Sequence, residues 1–125
     1  MKVEPSSNPD CSWEGYSQSD NCNFLTEAAN AVKNIDFFSA IFTTAPIWQQ
    51  FFGSSCDTFA ADTGAYLWYA NYNNTGNVNP TLSFDDFVPF GGWTAHSAAL
   101  VMKQVGGNVT IPLLCGNKAW HAFVD

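Results

Sequence analysis

Two carboxylates follow stretches of sequence that predict strand ends. Glu4 comes after a short strand-like start, and Asp125 comes after Phe123 and Val124. Active sites of α/β folds lie at the C-terminal ends of parallel strands, and cleavage of a glycosidic bond uses two carboxyl groups, one of them a general acid. Glu4 and Asp125 are therefore candidate catalytic residues. The alternative for each is a solvent-exposed terminal side chain.

Aromatic and amide side chains near other predicted strand ends are candidates for binding the ligand. Trp68 and Tyr69 are neighbours in one strand, so they face opposite sides of the sheet. An aromatic ring on a cleft floor stacks on a sugar, whereas a ring in a core fills volume. Phe42 and Gln104 lie near two further strand ends, and a Gln in an apolar segment needs a hydrogen-bond partner.

Other catalytic chemistries have no matching pattern. The sequence has no phosphate loop, dinucleotide fingerprint or cluster of metal ligands, so no cofactor and no metal are expected. His96 and His121 have no neighbouring Ser or Cys in a nucleophile setting, and Asp85 and Asp86 are expected to cap a turn or a short helix.

Strands and helices must alternate to position these side chains. Helical spacing begins near Asp20 or Asn21 as N-cap and ends near Lys33, and Thr44 caps a short helix that ends at Gly53. The predicted strands cover residues 1–5, 37–43, 66–72 and 98–105, with Gly106 and Gly107 breaking the last. This order predicts one α/β domain over residues 1–125 with parallel strands. An aromatic segment at residues 84–93 is either part of a cleft or part of the core.

The composition excludes several partners. Charged residues make up 12% of the 125 residues, aromatic residues 16%, and the net charge is -7 with four cations. So few cations cannot neutralise a nucleic-acid backbone or dock on an anionic membrane, and no apolar run reaches the length of a membrane span. Low charge with many aromatic, Asn, Ser and Thr side chains suits a protein that handles sugars.

Cysteines and sequons bear on the cellular compartment. Four cysteines allow three disulfide connectivities, with four buried thiols as the alternative; a local Cys11–Cys22 pair would leave Cys56 with Cys115. Asn73 and Asn108 begin N-glycosylation sequons, which fit a secretory route. The first residues show no signal peptide. The chain is therefore expected to be intracellular or to lack its true beginning.

Several motifs together carry a family resemblance. They are Val3-Glu4-Pro5, LWYANYNN at 67–74, FDDF at 84–87, PFGGW at 89–93, Lys103-Gln104 and Leu114-Cys115-Gly116. In this order the chain resembles the C-terminal part of the lysozymes of glycoside hydrolase family 25, in the form found in nematodes and amoebae. The resemblance implies a distorted (β/α) barrel that cleaves bacterial peptidoglycan, secretion or a lysosomal or phagosomal location, and a part in innate defence.

The resemblance also assigns roles to individual residues. Glu4 matches the general acid and Asp125 a late active-site Asp, while Trp68 and Tyr69 match the aromatic wall and Gln104 a polar strand-end residue. Lys2 stands where the family has Asp, and Phe42 where it has Tyr. A cation cannot stabilise a developing oxocarbenium ion as a carboxylate does, so Lys2 favours an inactive relative.

The length predicts an incomplete barrel. A complete barrel of this type needs about 250 residues, so the chain is expected to lack N-terminal strands. Open sheet edges would then leave it marginally stable, make it rearrange, or make it self-associate with a second copy. Two functions remain open: a muramidase-type hydrolase with Glu4 as acid, and an inactive relative that binds glycan or serves a structural role.

Overall fold

Three helices and four strands form the described part of the chain. A computed structural model describes residues 1–8, 12–71, 83–110 and 118–124, and only the backbone of 105–110 and 118–124. The elements in order are α1 (Gln18–Lys33), β1 (Ala40–Thr43), α2 (Ala45–Phe51), a 3-10 helix (Gly53–Cys56), α3 (Phe59–Thr63), β2 (Tyr66–Ala70), β3 (Leu100–Thr110) and β4 (Lys118–Val124).

The strands form one sheet in the order β1-β2-β3-β4. β1, β2 and β3 are parallel, which confirms the α/β expectation for these three strands. β4 runs antiparallel to β3, so the expected parallel direction is wrong there. Before β1, a parallel bridge joins Lys2 to Phe42, supported by a hydrogen bond of 2.9 Å from the Val3 amide to the Phe42 carbonyl. The described strands form an open sheet, and a barrel stays a prediction.

β3 is longer than the sequence predicted. The expected break at Gly106 and Gly107 is wrong, because β3 continues to Thr110. Its pairing with β4 shifts register between Gln104 and Gly106 and again between Gly106 and Val109. Bulges of this kind absorb extra residues without ending a strand, so glycine here changes the register instead of stopping the sheet.

α1 begins earlier than expected. Its N-cap is Ser17, so the prediction of Asp20 or Asn21 is wrong. The Ser17 hydroxyl accepts from the Asp20 amide at 3.1 Å and donates to the Asp20 carboxylate at 2.6 Å. The hydroxyl thus caps the N-terminus of the helix, and the acidic residue belongs to the first turn. Of the helices described, none combines the length and hydrophobicity needed to cross a membrane.

β1 is shorter than the predicted strand over residues 37–43. The Phe37 amide donates to the carbonyl of Val32 at 3.3 Å, and Asp36 has a positive φ of 61°. These residues therefore finish the end of α1 before the chain enters the sheet. Phe37 and Phe38 are exposed, so the expected buried strand is wrong for its first residues.

The aromatic segment at residues 84–93 contributes mainly to the core. Trp93 is fully buried, lies 5.2 Å from the Trp48 ring, and donates from its indole nitrogen to the Ala65 carbonyl at 2.9 Å. Gly91 has a φ of +59°, and a Cβ there would lie 2.7 Å from Trp93 and 2.8 Å from Trp48. The FGGW motif therefore lets two indole rings pack under the chain.

A disulfide joins α1 to the 3-10 helix. Cys22 is bonded to Cys56, 34 residues later. The expected local pairing of Cys22 with Cys11 is therefore wrong, because the buried side of α1 faces the 3-10 helix. Cys11 and Cys115 lie outside the described residues. A cross-link that closes a loop of this length stabilises a fold by about 4 kcal/mol, chiefly through the unfolded chain.

Candidate active site on the open face of the sheet

The two faces of the sheet have different surroundings. Successive strand residues point to opposite faces. The face that packs against the helices, called the covered face below, carries Val3, Ile41, Thr43, Leu67, Tyr69 and Lys103, all of them buried. The opposite face, called the open face, carries Lys2, Glu4, Phe42, Trp68 and Gln104 around a depression. The candidate site therefore lies where no described helix covers the sheet.

The depression on the open face brings four predicted site residues together. Its volume is about 610 Å³, and its lining includes Glu4, Phe42, Trp68 and Gln104. Strand register explains the convergence, because Lys2 is level with Phe42 and Phe42 with Trp68, while Gln104 is level with Ala70. Their proximity is a finding, whereas their catalytic and binding roles stay predictions.

Two aromatic rings form the apolar part of the site. The rings of Phe42 and Trp68 lie 5.1 Å apart at an interplanar angle of 76°, an edge-to-face contact. In the sheet, β1 lies between the Lys2 segment and β2. Phe42 on β1 is therefore one strand closer to Glu4 than Trp68 on β2 is. The carboxylate therefore lies beside an aromatic surface on which a sugar ring can stack.

Glu4 is held in an ion pair. The Lys2 ammonium nitrogen lies 2.8 Å from a Glu4 carboxylate oxygen, and the side chains are 66% and 36% exposed. The same nitrogen lies 5.9 Å from the centre of the Phe42 ring, within range of a cation–π contact. The Glu4 carboxylate is therefore engaged by a cation of its own segment.

Tyr69 lies on the covered face, away from the main depression. Its hydroxyl donates to Asp86 at 3.1 Å. Burial raises the pKa of the Tyr69 phenol well above its usual range, and the negative charge and hydrogen bond of Asp86 raise it further. Tyr69 instead lines a second depression of about 430 Å³ together with Asp86 and Asn71. Trp68 and Tyr69 thus face opposite sides, as strand alternation predicts.

Lys103 and Asp86 form an ion pair on the covered face of the sheet. The Lys103 ammonium donates to both Asp86 carboxylate oxygens, at 2.6 and 2.8 Å, and to the Ser83 carbonyl at 3.0 Å. The Lys103 side chain is 2% exposed and that of Asp86 is 37% exposed. Asp85 interacts with Ser83 in a turn, as expected. Asp86 instead ties the loop to β3.

The sequence contained a signal for this pair that the site prediction missed. Lys103 is a lone charge within the apolar segment of β3, and a buried ammonium needs an acidic partner. From the sequence, Asp86 is expected only to cap a turn or a short helix. In the Lys103-Gln104 motif, Lys103 therefore lies on the covered face in an ion pair with Asp86, whereas Gln104 lies in the depression on the open face.

Several predicted residues fall outside this geometry. Asp125, Asn73, Cys11 and Cys115 lie outside the described residues, and of Asn108 only the backbone, within β3, is described. Within the described residues, no group of His, Cys, Asp or Glu is arranged to hold a metal ion. Glu4 is the one carboxylate among the described residues that line the open face.

Relatives of the chain are lysozyme-like proteins and counting factors. In Dictyostelium discoideum, counting factor 45-1 is 34% identical over 89 residues, which are 71% of this chain and 26% of the relative. Counting factor 50 is 30% identical over 92 residues, 73% of this chain and 26% of the relative. A probable GH family 25 lysozyme 5 is 32% identical over 98 residues, 78% and 38% respectively.

The chain thus spans between about a quarter and two fifths of these relatives. No solved structure matches the chain significantly. The family model described as lysozyme-like protein 1 matches residues 3–104, which include Glu4, Phe42, Trp68 and Gln104. Because this match covers most of the sequence, the chain belongs to the lysozyme-like protein 1 family.

Proposed function

We propose that the open face binds the glycan of bacterial peptidoglycan and acts as a lysozyme-type glycoside hydrolase site. The observation that carries this proposal is the convergence of Glu4, Phe42, Trp68 and Gln104 on one depression of about 610 Å³. Family membership and similarity to probable GH family 25 lysozymes support the same chemistry.

Each side chain has a part in this proposal. Phe42 and Trp68 offer faces and edges for sugar rings, and Gln104 offers an amide to hydroxyl and acetamido groups. Glu4 donates a proton to the glycosidic oxygen, and Asp125 supplies the second carboxylate that glycoside hydrolysis uses. No cofactor takes part.

The second candidate is glycan binding without hydrolysis. The ion pair of 2.8 Å between Lys2 and Glu4 favours it, because this contact engages the proposed acid with a cation of its own segment. The stacking surface of Phe42 and Trp68 does not depend on Glu4. Glycan binding is therefore common to both functions, and the state of Glu4 separates them.

Glu4→Gln tests the hydrolase directly. The chain is incubated with bacterial cell walls, and reducing sugar released is measured. We expect Glu4→Gln to lower the rate by about 100-fold or more, as loss of a general acid does. The matched control is Glu27→Gln, a change of the same type on an exposed position of α1.

The possible results separate the two candidates. Activity that survives Glu4→Gln unchanged would remove Glu4 as the acid. Absence of hydrolysis by the parent chain, together with measurable retention on insoluble cell wall, would select the binding protein. Absence of both hydrolysis and retention would reject the glycan site altogether.

Location, role and assembly are part of the proposal. Membership of a lysozyme-like family supports secretion or a lysosomal or phagosomal location, with a part in defence against bacteria. Self-association through sheet edges stays a prediction, which the mass of the protein in solution would test.

A further inference from the structure

A cation and a carboxylate, Lys2 and Glu4, lie side by side in a depression whose other lining residues are apolar or carry an amide. Lys2 lines the depression with Phe42, Trp68 and Gln104, and its side chain is 66% exposed. An ammonium group has three N–H donors, and the salt bridge to Glu4 at 2.8 Å occupies one of them. Donors therefore remain for a ligand.

The position of this cation contrasts with the charge of the rest of the chain. The sequence has four Lys, no Arg and 11 acidic residues. Among the described side chains, Lys103 is buried against Asp86 and Lys33 lies in the last turn of α1. Lys2 is thus the described lysine that faces the depression, on a protein whose overall charge of -7 would otherwise repel an anion.

We propose that Lys2 determines ligand specificity, and that the open face selects a glycan carrying a free carboxylate over its neutral counterpart. This inference rests on the proposed glycan site and holds for either a hydrolase or a binding protein. The carboxylate binds the Lys2 ammonium, and the sugar ring beside it lies against Phe42 and Trp68. Lys2 is a specificity-determining residue, because it contacts the ligand carboxylate directly.

Geometry and energetics allow this exchange. The Lys2 nitrogen is 5.9 Å from the centre of the Phe42 ring, so a carboxylate on Lys2 places its sugar within reach of that ring. Exposed ion pairs contribute little to stability. A ligand carboxylate can therefore share or replace Glu4 on Lys2 without disturbing the sheet.

A matched pair of ligands isolates the carboxylate. The first is the disaccharide N-acetylglucosaminyl-N-acetylmuramic acid with a free lactyl carboxylate, and the second is its lactyl N-methylamide. Both present the same sugar rings and acetamido groups. Titration of the 125-residue chain by calorimetry is expected to give about tenfold tighter binding of the acid, as for one charge-assisted hydrogen bond.

Variants of Lys2 assign the selectivity to its charge. Lys2→Met keeps the length of the side chain and removes its charge, so it should abolish the preference for the acid over the amide. Lys2→Arg should restore the preference, and added salt should weaken it. Lys33→Met is the matched control, since Lys33 is exposed and lies on α1.

The outcomes distinguish this inference from the function on which it rests. Equal affinity for the two ligands, unaffected by Lys2→Met, would overturn the selectivity and leave the glycan site intact. Failure of both ligands to bind would reject the glycan site and the selectivity with it. Tighter binding of the amide would also overturn the selectivity, since the carboxylate of Glu4 and not the ammonium of Lys2 would then determine the preference.

Discussion

The covered and open faces of the same strands differ in how deeply their side chains are buried. On the covered face, Val3, Ile41 and Leu67 are each 0% exposed and pack into one apolar cluster. One residue away along each strand, Lys2, Phe42 and Trp68 line a depression. Adjacent residues thus lie in the core and at the candidate site, so a motif that spans two neighbouring residues need not have one role.

Tryptophan truncation on each side of the sheet gives the largest contrast. Trp48→Ala should cost about 4 kcal/mol of unfolding free energy, because a buried indole leaves a cavity. Trp68→Ala should cost only about 1 kcal/mol, since the ring is half-buried, yet it should abolish retention on cell wall. Urea unfolding and a pull-down on insoluble wall measure the two effects. Equal losses of stability would mean that the open face is part of the core.

The Lys103–Asp86 pair should show an asymmetric response. Asp86→Asn leaves an ammonium that is 2% exposed without its counter-ion and should cost about 3 kcal/mol. Lys103→Met should cost less, about 1 kcal/mol, because the Asp86 carboxylate is 37% exposed and can hydrate. Thermal unfolding of the two variants tests this order. A larger loss for Lys103→Met would show that the aspartate, not the lysine, depends on the pair.

Tyr69 should make stability fall at alkaline pH. Its pKa is raised in the folded state above the usual 10.0, so above pH 10.0 the unfolded state releases the phenol proton while the folded state keeps it. The contribution of Tyr69 to the free energy of unfolding is therefore fully present below pH 10.0 and decreases as the pH rises above it.

Tyr69→Phe tests this dependence with the smallest expected effect. At neutral pH it should cost about 1 kcal/mol, the worth of one hydrogen bond, and it should flatten the alkaline decline seen in urea unfolding. A parallel decline in both proteins would assign it to other groups. Tyr16→Phe is the matched control, because Tyr16 is 68% exposed.

Local pattern predicted the elements better than their partners. The strand at Tyr66–Ala70 and the helix ending at Lys33 follow from alternation and helical spacing. The antiparallel direction of β4 and the Cys22–Cys56 bond depend on contacts between distant segments, which spacing does not encode. The prediction that the strand ends at Gly106 and Gly107 is wrong because glycine occurs both at bulges and at strand ends.

The candidate site was predicted in part. Glu4, Phe42, Trp68 and Gln104 were identified from strand ends and from the family resemblance, and parallel register brings them together. Tyr69 was grouped with Trp68, although alternation already required one of the two to face the helices. The partner of Lys103 is 17 residues away in the sequence, across a loop. The periodicity of helices and strands does not predict contacts between segments so far apart.

The alternation Lys2-Val3-Glu4 also fixes how this segment joins the sheet. Val3 is fully buried, whereas the charged residues on both sides of it reach the depression. A slip of one residue against β1 would turn Val3 outward and force an ammonium and a carboxylate into the apolar cluster. The charges of Lys2 and Glu4 therefore disfavour a shifted register against β1. Replacing both with neutral residues should weaken this preference for a single register.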